Sequence, residues 1–207
     1  PVRCVLNKGS DVSMQSINAS NKNSLCPTNS EAEVYDARDG KVYPIKQIDG
    51  VCTMTKNLQY TGGSGGTVSK TDAINSDGGT FTMTASTSYS SSAARYVESG
   101  REDYGTYYNY PAASGGTVTG SPIGATTSIC PAGWSIPSSS ASAWGGMSFT
   151  SMTSSDKFNV LSGLYQYSST NTVALANAGS TGYWWSSGAA GSSSYYDLTI
   201  NSNGAYD

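Results

Sequence analysis

The chain has 207 residues, enough for one main domain with a buried core, and only 12% of them are charged. The net charge of −3 and the lack of any Lys/Arg block argue against a nucleic-acid partner, and no apolar run approaches the roughly 18 residues that span a membrane. Histidine is absent, which excludes Ser-His-Asp and Cys-His nucleophiles and His-ligated metal sites, so we expect no enzyme and, apart from a calcium ion considered below, no cofactor.

The first predicted elements are a strand and a short helix. Residues 1–6 (PVRCVL) have the character of a short buried strand. A helix follows, because apolar residues fall at roughly helical spacing at Val12, Met14, Ile17 and Leu25. Asp11 or Ser13 can cap this helix, and it should end before Cys26, since the residue preceding Pro27 avoids the α region.

The strongest strand signal predicts a three-strand antiparallel meander. Strands at 33–35 and 41–43 flank Asp39-Gly40, a dipeptide typical of two-residue hairpin turns. A second such dipeptide, Asp49-Gly50, leads into a strand at 51–55.

Asp36, Asp39 and Asp49 lie in or beside these turns and carry the oxygen ligands that calcium prefers. They lack the close, regular spacing of a calcium loop, and Asp is a common turn residue. We therefore interpret them as turn residues, with calcium as the one cofactor left open.

The middle of the chain is rich in Gly, Ser and Tyr. Residues 61–80 form a Gly/Ser-rich excursion, and residues 81–87 (FTMTAST) alternate like an edge strand. The aromatic stretch 104–114 is either a corner of the core or a binding surface. The core is the preferred interpretation, because Tyr is both bulky and amphipathic.

The C-terminal third predicts a helix and a hairpin. Residues 154–167 begin with serines that can cap and carry their apolar residues on one face, which predicts the best helix of the chain. Strands are predicted at 182–186 and 195–200, joined by a Gly/Ser-rich loop.

The cysteines are widely spread, at Cys4, Cys26, Cys52 and Cys130. An even number in a polar chain without a C-x-x-C pair indicates disulfides formed in an oxidising compartment. The alternative is buried free thiols in a reducing compartment.

Several short motifs occur in order: D-x-R-D-G-K-x-Y at residues 36–43, N-L at 57–58, Y-G-x-x-Y running into A-A at 104–113, C-P-x-G-W-x-x-P-S at 130–138 and G-Y-W-W-S-S at 182–187. Together they resemble the Fibrobacter succinogenes major paralogous domain (FISUMP) family of secreted modules. The resemblance covers roughly residues 30–200. Thr53 and Ser135 stand near positions where the family pattern has Trp and His.

The resemblance implies an extracellular, cell-surface α+β domain with irregular, twisted antiparallel sheets, long loops and one or two short helices. Such a domain is similar to the C-type lectin-like and formylglycine-generating-enzyme-like folds. The catalytic cysteines of the latter have no counterpart here, so no activity is carried over. We expect a displaced strand at 1–6, a linker with a short helix at 7–27 and the domain at 28–207.

The family pattern closes with a strand like V-R-C-V, which this chain carries at its start within Pro1, Val2, Arg3, Cys4, Val5 and Leu6. Three explanations fit. The chain is one repeat of a tandem array, or its strand completes the next subunit, or the domain is circularly permuted. The first two produce a head-to-tail fibre and the third a monomer. We favour the fibre: a pilus-like structural subunit or repeat whose partner is a second copy of itself and which supports adhesion.

The same comparison pairs Cys26 with Cys52, which bracket the first hairpins, and leaves Cys4 with Cys130. This is one of three connectivities, and the second bridge is intermolecular if Cys4 sits in a neighbour.

The alternative function is a monomeric, lectin-like adhesive module that binds a glycan, a protein or a host-cell surface. Its expected contact residues are rigid aromatic side chains among Ser and Gly, namely Tyr107, Tyr183, Trp185, Tyr195 and Tyr196. The competing interpretation places Trp184 and Trp185 in the core, although alternation along a strand lets only one of them face inward.

One modification signal stands apart from these features. Asn18-Ala19-Ser20 forms an N-glycosylation sequon, for which the sequence alone favours chance occurrence.

Overall fold

A computed structural model of the chain describes residues 12–69, 80–86, 92–115, 128–137, 161–167, 173–189 and 195–202. These residues form small, mostly antiparallel sheets with few helices, which confirms the sheet-rich α+β class. The strand predicted at 1–6 lies outside the described residues, and the finer lectin-like topology stays a prediction.

The predicted meander is present. Strands β1 (Ala32–Tyr35), β2 (Val42–Ile48) and β3 (Val51–Met54) form an antiparallel sheet in that order. Its second turn is the predicted two-residue hairpin at Asp49-Gly50, with φ of 48° and 82°. Positive φ at both central residues is what a type I′ turn requires.

The first turn of the meander differs from the prediction. Asp39-Gly40 does not form a two-residue hairpin, because Tyr35 pairs with Val42 and the backbone N–H of Asp36 donates to Lys41 O at 2.8 Å. The connection is longer because Asp36 O accepts hydrogen bonds from the backbone N–H groups of both Asp39 and Gly40, which close a wider turn.

The predicted N-terminal helix is split in two. A 3-10 turn covers Met14–Ser16, and α1 covers Lys22–Leu25, ending before Cys26 as predicted. Ser13 makes no side-chain capping bond, and Asp11 lies outside the described residues. The helix is interrupted because the side chains of Asn18 and Asn21 accept hydrogen bonds from nearby backbone N–H groups, which competes with helix formation.

The middle of the chain contributes short elements, namely a 3-10 turn at Ser64–Gly66, β4 (Thr67–Ser69), β5 (Thr80–Thr82), β6 (Thr84–Ala85), β7 (Ala94–Tyr96), a 3-10 turn at Glu102–Tyr104, β8 (Tyr107–Tyr108) and α2 (Tyr110–Ala113). β4 pairs antiparallel with β5, while β7 pairs parallel with β6 and antiparallel with β8. The edge strand expected at 81–87 is thus shared between β5 and β6, which flank the buried Met83.

The C-terminal part contains β9 (Leu164–Tyr167), β10 (Val173–Ala176), β11 (Thr181–Ala189) and β12 (Tyr195–Asn201). β9 pairs with β10, and β11 with β12, so the predicted final hairpin is confirmed.

The helix predicted at 154–167 is wrong where it can be compared, because residues 164–167 form β9. Gly163 adopts φ +72°, which is not helical, and a Cβ there would lie 2.2 Å from Ala176 O. Its backbone N–H donates to Thr181 O instead of to a helical turn. Residues 154–160 lie outside the described part.

Buried apolar side chains fall into separate clusters. One packs the N-terminal segment against the meander through Met14, Ile17, Cys26, Val34, Tyr43 and Ile45. The other two join the middle elements through Tyr60, Val68, Met83, Ala93, Ala112 and Ile129, and the meander tip to the final hairpin through Ile48, Leu198 and Ile200. The meander therefore packs against the segment 12–26 and against the final hairpin of β11 and β12.

Candidate functional site

A buried ion pair lies at the start of the first family-like motif. Arg38 Nη2 lies 2.6 Å from Asp36 Oδ2, and Arg38 Nε donates to Asp36 Oδ1 at 2.9 Å. Gln15 Nε2 also donates to that carboxylate at 2.8 Å. On its other side, the guanidinium stacks 3.9 Å from the centre of the Tyr60 ring and donates to Ile129 O at 2.7 Å. The pair ties the first hairpin to two distant segments.

Both groups of this pair are held in their charged forms. Burial by itself raises the pKa of Asp36, but the hydrogen bonds and charge of Arg38 outweigh it, so the pKa lies below the ordinary 3.8. Burial likewise acts to lower the pKa of Arg38, and Asp36 reverses this, so that pKa is raised. A hydrogen-bonded pair that is charged at neutral pH is suited to holding the fold and not to exchanging protons near pH 7.

The rest of this first motif also bonds inward. Lys41 Nζ donates to Gln59 O at 2.5 Å, and the Tyr43 hydroxyl accepts from the Gln59 backbone N–H at 3.0 Å. Burial raises the pKa of Tyr43, which keeps its hydroxyl protonated. The motif thus fastens the segment after the meander to the meander itself.

Asn57 of the N-L motif links two further motifs. Its Nδ2 donates to Tyr104 O at 2.9 Å, and its Oδ1 accepts from Trp184 Nε1 at 2.9 Å. Gly105 is required beside it, because a Cβ at that position would lie 2.6 Å from Asn57 Cβ and 3.0 Å from Leu58 O. This contact joins the Y-G-x-x-Y and G-Y-W-W-S-S segments.

Two further tryptophans of the described residues bond to backbone carbonyls. Trp134 Nε1 donates to Met14 O at 2.8 Å, and Trp185 Nε1 donates to Tyr108 O at 2.7 Å. Trp185 also packs edge-on against Tyr110, with ring centres 5.6 Å apart. The motifs that carry the family resemblance therefore contact one another and form a structural framework.

A partly buried cluster, here called the tyrosine cluster, is formed by Tyr96, Tyr107, Tyr165 and Glu98. The Tyr165 ring stacks on Tyr96 at 5.2 Å and meets Tyr107 edge-on at 4.9 Å. Its hydroxyl donates to Glu98 Oε2, and the Tyr107 hydroxyl donates to Ser162 O. Burial raises the pKa of Tyr107, and burial together with the Glu98 carboxylate raises that of Tyr165.

The sequence did not identify most of this cluster. Tyr165 fell inside the predicted helix, and Tyr96 lies in a stretch without a clear pattern. Only the alternation of L-Y-Q-Y, read as a strand, would have pointed to Tyr165.

The expected ligand residues whose side chains are described make different contacts, and their sharing of one ligand site stays a prediction. Tyr107 belongs to the tyrosine cluster, whereas Trp185 contacts Tyr108 and Tyr110. The Tyr183 hydroxyl accepts from Asn177 Nδ2 at 3.0 Å. Tyr195 and Tyr196 begin β12, and their side chains lie outside the described part of the structure. The aromatic interior of residues 104–114 agrees with the core interpretation, since Tyr110, Ala112 and Ala113 are buried.

The cysteines follow the predicted pairing in part. Cys26 and Cys52 form a disulfide, as expected. Cys130 carries a free, half-buried thiol whose pKa is raised by burial. Cys4 lies outside the described residues, so its bridge to Cys130 stays a prediction.

The aspartates of the meander are engaged as turn and ion-pair residues. Asp36 binds Arg38, Asp39 Oδ1 accepts from the Lys41 backbone N–H at 3.0 Å, and Asp49 lies in the type I′ turn. Within the described ranges, no group of three or more Cys, Asp or Glu side chains is placed to hold a metal ion. Calcium stays an untested prediction.

No protein-family model, no curated protein and no solved structure matches the chain. The FISUMP resemblance is therefore a proposal that depends on the motif residues above. No helix in the part of the chain that the structure describes is long and apolar enough to cross a membrane.

Proposed function

We propose that this chain is a structural subunit, or one repeat, of an extracellular cell-surface filament in which the terminal strand of one copy completes the next. The observation that carries the proposal is the state of the cysteines. Cys26 and Cys52 are joined, whereas Cys130 keeps a half-buried free thiol. Its expected partner, Cys4, belongs to the V-R-C-V strand that the family pattern places at the far end of a domain.

A bridge from Cys130 of one copy to Cys4 of the next connects copies head to tail. Strand addition supplies backbone hydrogen bonds along the acceptor sheet, and side-chain pockets supply specificity. A heterologous contact of this kind propagates into a filament unless it closes into a ring. The Cys26–Cys52 disulfide supports the oxidising, extracellular compartment in which such a bridge persists.

The use of the motif residues supports a structural role. Bonds between distant segments are made by Asp36, Arg38, Asn57, Trp134 and Trp184. A filament subunit has to transmit load through its fold, and these bonds join both halves of the chain.

The monomeric binding module has weaker support. Two of its expected contact residues, Tyr107 and Trp185, donate their polar hydrogens to backbone carbonyls of the fold. The polar hydrogens of these two side chains are used inside the fold, so they are not free to bond to a ligand.

Electrophoresis of the native material, without and with reductant, tests the proposal. A high-mass ladder that collapses to 21.4 kDa on reduction is expected for linked subunits, and a large species that survives reduction is expected for tandem repeats. The matched variants Cys4→Ser and Cys130→Ser should each abolish the ladder and leave the Cys26–Cys52 bridge intact.

Other outcomes overturn the proposal or its cross-link. A monomer in native solution rejects the filament and favours the binding module, and an intrachain Cys4–Cys130 bridge indicates the permuted domain. A protein that is a polymer in native solution but migrates as single chains in non-reducing electrophoresis rejects the intermolecular disulfide. Strand exchange without a covalent link would remain consistent with that result.

A further inference from the structure

The turn at residues 18–20 is an exposed connection between two anchored points. Asn18, Ala19 and Ser20 are all exposed. The chain before them is fixed by the buried Met14 and Ile17, and the chain after them by Cys26 in its disulfide. The turn therefore presents its side chains from a defined position on the surface.

The side chains of this turn are ordered by local hydrogen bonds. Asn18 Oδ1 accepts from the Ser20 backbone N–H at 2.9 Å and from Ser20 Oγ at 2.6 Å. The Asn18 backbone N–H donates to Asn21 Oδ1 at 2.8 Å, which fixes the backbone at the same place. The Ser20 hydroxyl and the Asn18 amide are thus side by side, so the two groups that define the sequon face each other.

The amide nitrogen is the weakly engaged end of Asn18. Among the described residues, Nδ2 donates to Ser16 O at 3.4 Å, the long end of the hydrogen-bond range. The amide has two N–H groups, so a substituent can replace one hydrogen without breaking a strong bond. The neighbouring Ser16, Asn23 and Ser24 are exposed as well, which leaves room for a bulky group.

We propose that Asn18 is a glycan-attachment site. The reaction is transfer from a lipid-pyrophosphate-linked oligosaccharide by an oligosaccharyl transferase of the secretory route. A bond forms between Asn18 Nδ2 and the anomeric carbon of the first sugar. The bond from that carbon to the pyrophosphate oxygen breaks, the lipid pyrophosphate leaves with the electron pair, and Nδ2 loses one proton. Such a glycan is bulky and solubilising and belongs on an exposed surface.

Peptide mapping of the protein from the cells that make it tests this site. Trypsin releases residues 9–22, between Lys8 and Lys22, and this peptide contains Asn18 and Asn21. We expect fragmentation to locate a sugar mass on Asn18 and none on Asn21. An unmodified peptide, or a sugar on a serine hydroxyl, overturns the proposal.

Matched variants in the same host separate the sequon from the local sequence. Ser20→Ala should abolish the modification while Asn18 is still present, and Ser20→Thr should retain it. Both changes are at an exposed side chain, so an unchanged denaturation midpoint shows that folding is not the cause. Retention of the glycan in Ser20→Ala overturns the assignment. The glycan test and the filament test can fail separately. The filament test measures a mass ladder that reductant collapses, whereas the sugar mass on the Asn18 peptide is unaffected by reductant.

Discussion

Arg38 Nη2 lies 2.6 Å from Asp36 Oδ2, and the two side chains are only 5% and 0% exposed. The pair comes from one hairpin loop, yet Arg38 also reaches Ile129 O and the Tyr60 ring. A buried charge of either sign is costly without its partner. The ion pair therefore matters most when one half of it is removed.

We expect Asp36→Asn to lower the free energy of unfolding by about 3–5 kcal/mol, because it leaves the Arg38 guanidinium buried without a counter-charge. Urea denaturation measures this. Asp39→Asn is the matched control in the same loop, since Asp39 lies 3.7 Å from the Lys41 ammonium, which is 40% exposed. That change should cost less than about 1 kcal/mol. Equal losses of unfolding free energy in Asp36→Asn and Asp39→Asn would contradict the role of the buried ion pair.

The same carboxylate should control acid stability. The pKa of Asp36 in the folded chain lies below its ordinary 3.8, so the unfolded chain binds more protons between the two values. The stability that Asp36 contributes is complete above about pH 4 and is lost as the pH falls through the folded pKa. Denaturation midpoints from pH 7 to pH 2 should show this loss in the native chain and a smaller one in Asp36→Asn. If the denaturation midpoints of the native chain and Asp36→Asn fall in parallel with pH, Asp36 is not the group that controls acid stability.

Local chemistry made part of the fold predictable. Asp49-Gly50 has one good conformation between two strands, and the type I′ turn is there. The strands β11 and β12 were also predictable from the residues that form them, at 182–186 and 195–200. Residues 164–167 did not, because their apolar pattern fits a short helix face, and the conformation is decided by Gly163 against the distant Ala176.

The site was less predictable than the fold, since it depends on contacts far apart in sequence. Alternation suggested that only one of Trp184 and Trp185 faces inward. Both are only partly exposed, because Trp184 bonds to Asn57 and Trp185 to Tyr108. The alternation rule assumes that one face of the strand is exposed to solvent, and it does not apply to a strand that is contacted on both faces.

Gly105 should tolerate no side chain. Gly105→Ala places a Cβ 2.6 Å from Asn57 Cβ and 3.0 Å from Leu58 O, at φ +82°. Gly100→Ala is the control, because Gly100 has φ +78° and nothing within 4 Å of the added Cβ. We expect about 1–2 kcal/mol of destabilisation from the backbone in both. Overpacking should add about 1–3 kcal/mol in Gly105→Ala alone. Similar denaturation midpoints would mean that the Asn57 contact yields easily.

The Cys26–Cys52 disulfide closes a loop with a sequence separation of 26. Constraint of the unfolded chain by such a loop contributes about 3–4 kcal/mol. We therefore expect Cys26→Ala/Cys52→Ala to lower the free energy of unfolding by about this amount. In the Cys130→Ala background, which removes the proposed bridge to Cys4, reductant should destabilise the chain that keeps Cys26 and Cys52 and leave the double variant unchanged. Cys130→Ala is the control that must stay sensitive to reductant.

Trp185 distinguishes packing from ligand contact. Trp185→Phe retains a ring against Tyr110 but removes the donor to Tyr108 O, which lies 2.7 Å away. We expect a loss of about 1–2 kcal/mol, the cost of leaving a partly buried carbonyl unpaired. Tyr183→Phe on the same strand removes an exposed bond to Asn177 and should change stability by less than about 0.5 kcal/mol. Urea denaturation of both variants, with glycan-array binding alongside, tests the assignment. If Trp185→Phe keeps full stability but loses glycan binding, Trp185 is a contact residue of an adhesive surface.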